Sequence, residues 1–181
     1  MSTNPFAIPV KALMNKPGMS ETLEKDVAAP THYGEAVCVV REGEPLHLSL
    51  MLESVHEGIL VSGTITTDAH ADCVRCLEPT TIPISANIQE LFAYLADDSY
   101  DYEVVQDEID LDQVVRDQVV VELPFQPVCS SDCPGLDPET GEKRDAESAA
   151  ADTTAIDPRW TKLQDVFPEN SPGGESGYPH I

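Results

Sequence analysis

The chain has 181 residues, with 33 acidic against 10 basic side chains and a formal net charge of −23. That length suits one domain and a tail. No apolar stretch reaches the roughly 20 residues of a bilayer span, and the first residues lack a basic leader with a sustained apolar region, so a cytoplasmic protein with no membrane partner is expected. A surface this negative repels phosphate backbones and lacks the lysines and arginines that release counterions, which disfavours autonomous, tight nucleic-acid binding.

Residues 1–32 contain Pro5, Pro9 and Pro17-Gly18, which break any long helix, and irregular structure is expected there. A core domain is expected over 33–136. Ala36 to Arg41 reads as a short apolar strand ended by Gly43 and Pro45. Leu46, Leu48, Leu50 and Leu52 then alternate with His47, Ser49, Met51 and Glu53, a period of two that places four leucines on one face of a strand. His56-Glu57-Gly58 can turn the chain into a second strand through Ile59, Val61 and Ile65, with Gly63 as a bulge or point of close approach. A third strand runs through Ile82, Ile84, Ala86 and Ile88 to Phe92 and Tyr94, and Pro83 places its start at an edge.

A helix follows, with Asp110 as its cap, Ile109 stapled to Val114, and Leu111, Val114, Val115 and Val119 along one face; Leu123-Pro124 ends it. Between residues 97 and 123 stand ten acidic side chains and one basic one, so the acidity belongs to a folded surface as well as to a tail. That surface serves solubility or attracts a basic protein. Residues 137–181 are rich in Pro, Gly, Ser and acidic residues and read as a mobile acidic tail. Within it, Asp157-Pro158 opens a short docking helix over 157–167, with Trp160, Leu163 and Phe167 on one side. The expected class is α+β: a small curved antiparallel sheet, partial closure into a barrel included, with one main helix and a short C-terminal helix.

Four of the five cysteines form two close pairs, Cys73-Val74-Arg75-Cys76 and Cys129-Ser130-Ser131-Asp132-Cys133. Thiols kept reduced in a cytosolic protein leave metal binding, free thiols or redox chemistry as the alternatives. Two turns each offering a thiolate pair satisfy zinc's preference for four soft donors and leave no open coordination position, which makes Cys73, Cys76, Cys129 and Cys133 the candidate ligands of a structural zinc. The pairs must then meet across 52 intervening residues. A redox site at Cys73 and Cys76 would need the βαβ setting of thioredoxin-like motifs, for which there is no pattern. Cys38, inside an apolar strand, reads as a small core residue. His70 lies three residues before Cys73 and is an alternative ligand, though a solvated histidine is the simpler reading. There is no H-E-x-x-H pair, Walker A loop or G-x-G-x-x-G fingerprint, and nothing selects two carboxylates as an acid and base.

The string Cys73-Val74-Arg75-Cys76-Leu77-Glu78-Pro79, followed by Glu122-Leu123-Pro124-Phe125-Gln126-Pro127-Val128-Cys129, Cys133-Pro134-Gly135-Leu136 and Asp157-Pro158-Arg159-Trp160, resembles the YceD family, the large ribosomal RNA subunit accumulation proteins. The likeness runs over residues 33–165. It implies a small non-enzymatic factor needed for large-subunit ribosomal RNA accumulation, with a large-subunit precursor or a basic ribosomal protein as partner. Members resembling it often carry two further cysteines after the Gly-Leu, where this chain has Asp137 to Gly141, so any metal site here must rest on the four cysteines already named. A thiol redox protein using Cys73 and Cys76, and an acidic adaptor unrelated to ribosomes, are the competing functions.

Overall fold

Leu46, Leu48, Leu50 and Leu52 lie on the inner face of a strand, as their alternation predicts: all four are buried, while Met51 between them is 45% exposed. In the computed structural model, which describes residues 4–35, 37–95, 100–137 and 140–145, this strand is β4 (Pro45–Ser54). It follows β1 (Ala7–Pro9), β2 (Ser20–Ala28) and β3 (Cys38–Val39), and precedes β5 (Gly58–Asp72), β6 (Pro79–Ala93), β7 (Tyr102–Glu103), β8 (Glu108–Asp110) and one helix, α1 (Asp112–Glu122). The chain divides into two units, Met1–Cys133 and Pro134–Ile181. In the second, the described residues form a tight turn in which Leu136 bridges to Lys143 and the Gly141 N–H donates to the Asp137 carbonyl at 2.8 Å.

The first unit is built on a sheet of order β2-β4-β5-β6-β7, with β3 pairing β5 beyond the end of β4. All pairings are antiparallel except β6 with β7, so the sheet is mixed. Its outer strands do not meet, and it stays open. With 47% of the described residues in strands and 8% in helix, the molecule is mainly β, which corrects the α+β expectation of a closing sheet with two helices. The physical reason is that the sheet's apolar face finds its cover elsewhere: α1 packs on β6, and the β1–β8 pair brings Ile8 and Ile109 into the same core. The expected 157–167 helix lies outside the described residues.

Residues 1–32 are not irregular throughout, since β1 and the nine-residue β2 fall within them. β2 pairs β4 along its whole length from Ser20↔Glu53 to Ala28↔Pro45. It is an edge strand, mostly exposed, and its string Ser-Glu-Thr-Leu-Glu-Lys-Asp-Val-Ala therefore carries little apolar alternation. The strand expected over Ala36 to Arg41 narrows to Cys38–Val39.

Gly63 is the point of close approach that its place in β5 predicts. Its φ is +149°, and a Cβ there would stand 2.2 Å from the Ser49 carbonyl oxygen. The residue capping α1 is Leu111, which offers no side-chain cap, yet the Asp110 carboxylate still accepts the Asp112 N–H at 3.0 Å. The helix stops where Leu123 turns extended ahead of Pro124. Pro83 pairs Asp68 with no strand on its other side among the described residues, the edge position expected for a residue that donates no ladder hydrogen bond.

Candidate metal centre

β5 and β6 pair without interruption from Gly58↔Ala93 to Asp72↔Pro79, so the loop Cys73–Glu78 is the tip of a long hairpin. Within the tip the Cys73 N–H donates to the Glu78 carbonyl at 2.9 Å and the Leu77 N–H donates to the Cys73 carbonyl at 2.8 Å, with Leu77 at φ +60°. This tight turn brings Cys73 and Cys76 onto one side. The second pair arrives from α1: the extended run after Leu123 leads to a turn in which the Cys133 N–H donates to the Ser130 carbonyl at 3.2 Å.

The fold joins the two pairs. Cys73 Sγ lies 3.8 Å from Cys133 Sγ, Cys76 Sγ lies 3.8 Å from Cys129 Sγ, and all four sulfurs lie within 4.8 Å of one another. A disulfide needs about 2 Å, so these are free thiols, as is Cys38. Zinc holds thiolates at about 2.3 Å, which gives a tetrahedron sulfur–sulfur edges of about 3.8 Å. Two of the sulfur–sulfur separations match that edge, and the cluster as a whole is tight enough for one metal ion to reach all four thiols. Cys73, Cys76 and Cys133 are buried and Cys129 is exposed.

Backbone and charge chemistry fit a cation as well. The backbone N–H groups of Cys129, Cys76 and Arg75 pull the Cys73 thiol down to about 6. At Cys76 the Glu78 N–H also pulls downward, but burial and the sulfurs of Cys73, Cys133 and Cys129 outweigh it and push the thiol up to about 12. Contact with Cys133, then burial, raises Cys129 too. One sulfur is readied as an anion while its neighbours resist ionising beside it, a mutual repulsion that a bound divalent cation removes.

Three hydrogen bonds clamp the turns together independently of the sulfurs. The Val74 N–H donates to the Pro127 carbonyl at 2.9 Å, and Arg75 Nη1 donates to the carbonyls of Ser131 at 3.0 Å and Cys133 at 3.1 Å. Sequence reasoning passed over Arg75; its position between the two cysteines of the knuckle is the signal that points to it. His70 does not join the cluster. It sits in β5 with Nε2 3.0 Å from Glu44 Oε2. Cys38 is 4% exposed within the core, as its apolar surroundings predict, and burial raises its thiol.

Among the described residues no helix is long and apolar enough to cross a membrane. The chain is similar to an uncharacterized protein of Mycobacterium tuberculosis, 36% identical over 171 residues that span 91% of this chain and 82% of that protein. A Mycobacterium leprae protein, also uncharacterized, is 36% identical over 177 residues, covering 93% and 81% of the two chains. The uncharacterized YlbN of Bacillus subtilis is 26% identical over 112 residues, covering 59% of this chain and 65% of its own length. No solved structure matches. The family model for the large ribosomal RNA subunit accumulation protein YceD matches residues 61–167, a span that opens within β5 and takes in both cysteine pairs. With more than half its length in that match, the chain belongs to the YceD family.

Proposed function

We propose that this protein is a non-enzymatic, cytoplasmic factor in large ribosomal subunit assembly that works through protein contacts, with Cys73, Cys76, Cys129 and Cys133 holding one structural zinc. The family match carries the ribosomal part of this reading, since the family is named for accumulation of large-subunit ribosomal RNA. The gathering of four thiols within 4.8 Å of one another supports a closed centre, one whose ligands are all protein side chains and which keeps no position for substrate. An acidic tail over 137–181 is part of the proposal.

Electrostatics selects the partner. A chain of net charge −23 is drawn to a lysine-rich ribosomal protein, or to the protein part of a precursor particle, and is repelled by bare RNA. Sedimentation of lysate through a sucrose gradient tests this: the protein should travel with large-subunit precursors and leave them as salt rises. Salt-insensitive binding of the pure protein to naked ribosomal RNA would contradict the mechanism, and depletion without a ribosomal RNA defect would return the chain to the class of general acidic adaptors. The redox reading has the low pKa of Cys73 in its favour, but a nucleophilic sulfur must be reached, and Cys73 is 0% exposed. Metal-free protein whose disulfide exchange disappears with Cys76→Ser would restore that reading.

A further inference from the structure

Away from the cysteines, the outer face of α1, the segment just after it and the residue before β3 carry apolar side chains that the core does not use. Val120 is 40% exposed, Val121 77%, Phe125 94%, and Val37, across from them, 47%. These four line a single open groove of about 1040 Å³ between α1, the residues around Gly34 and the segment just after the helix. Exposed apolar side chains gathered in one groove, among carboxylates, offer a partner both burial and charge.

The groove is built in advance. Gly34, at φ +85°, lets its backbone approach Leu123 so closely that a Cβ would lie 2.4 Å from Leu123 Cδ1. Neighbouring Tyr33 exchanges backbone hydrogen bonds with Val40 at 2.9 and 3.0 Å, which fixes that wall. The opposite end is tied to the four-cysteine turns, because Pro127, two residues beyond Phe125, accepts the Val74 N–H. Glu35, Asp112 and Asp117 line the groove against Arg116, so its lining combines apolar side chains with a net negative charge.

We propose that this groove docks a lysine- or arginine-rich protein segment that inserts apolar side chains against Val121 and Phe125, an inference that rests on the protein-contact function above. Charge complementarity identifies the occupant: a basic segment satisfies Glu35, Asp112 and Asp117 while its apolar residues cover Val121 and Phe125, and a phosphate backbone would meet the same carboxylates as repulsion. The groove lies at the top of the volume range of small-ligand pockets and is open along one side, which suits a peptide.

The test uses the full chain and a fluorescein-labelled helical peptide with lysines on one face and leucines on the other. Control peptides replace the leucines by serine or the lysines by glutamate. Phe125→Ser and Val121→Ser keep the net charge, so any loss they cause is not general attraction between opposite charges. Because both side chains are exposed, the variants should melt like the parent protein. The expected result is binding that falls with salt and weakens at least about tenfold in Phe125→Ser, as for an aromatic anchor. Equal affinity for parent and variant, or for the lysine and glutamate peptides, overturns the proposal. Co-sedimentation with large-subunit precursors is measured in parallel. If parent and Phe125→Ser both co-sediment, the groove is refuted and the function stands; if the parent does not, the function is refuted and the peptide titration alone decides the groove.

Discussion

Loss of the proposed zinc, by chelator or by Cys76→Ser, should loosen one end of the sheet without changing the topology. The four-cysteine clamp ties Cys76 to Cys129, 53 positions apart in sequence. Treated as a cross-link closing a loop of that length, it removes unfolded-chain entropy equivalent to about 4 kcal/mol of stability. A mid-sized domain melts roughly 2–4 °C lower per kcal/mol, so the loss corresponds to a fall of about 10 °C. The damage should be local first. Beyond Thr67↔Ile84 the hairpin of β5 and β6 has only two-residue β3 beside it, paired at Cys38↔Ala71 and Val39↔His70, whereas the other end is flanked by β4. Amides from Ala69 to Asp72 should therefore lose exchange protection before those near Val61. The assay is metal content by mass spectrometry under reducing conditions, with melting curves and hydrogen exchange before and after chelation. About one zinc per chain is expected, retained in Cys38→Ala and lost in Cys76→Ser. Protein that takes up no metal from excess zinc, or melts unchanged after chelation, would refute the clamp.

Three further outcomes follow from the geometry. Gly63→Ala combines a contact 2.2 Å from the Ser49 oxygen with a φ of +149° and should cost about 3 kcal/mol in denaturant titration; a loss below about 1 kcal/mol would show that β4 and β5 can yield. Among the described residues the buried Tyr33 hydroxyl has no hydrogen-bond partner, and burial, with Asp112 nearby, pushes its pKa up to about 12. Tyr33→Phe should therefore leave stability unchanged or raise it by about 1 kcal/mol, and marked destabilisation would reveal a partner for the hydroxyl. Finally, His47 is held above its ordinary 6.5 by its hydrogen bond to Asp26, then by the Asp26 and Glu24 charges. Because the folded pKa is the raised one, the pair's stabilisation is complete below the ordinary value and fades as pH climbs through the raised one. Asp26→Asn should bring the His47 titration, followed by NMR, back toward 6.5; an unchanged titration would mean that Asp26 is not the cause.

Much was legible in the linear chain because burial on one face writes itself into residue spacing. The leucines of β4, the turn at His56 to Gly58, the valine face of α1 and its stop before Pro124 all carry local signals, and each lies where that signal puts it. Both cysteine pairs were equally visible, since a knuckle is a local motif. The edge strand β2 was not. A strand solvated along much of its length needs no apolar alternation, and its partner β4 supplies the hydrogen bonds that make it a strand. Whether the sheet closes was also beyond local reading, because the answer depends on what else covers its apolar face.

The spacing of side chains along the chain thus determined the central strands, the helix and the identity of four candidate ligands. Only tertiary structure decided that those ligands meet, because the distance between two turns separated by 52 residues is set by the length of the β5–β6 hairpin and the direction in which α1 leaves the sheet. It also decided which apolar residues stay outside: Val121 is as hydrophobic as Val115 and Val119, and what separates them is the side of the helix that faces β6.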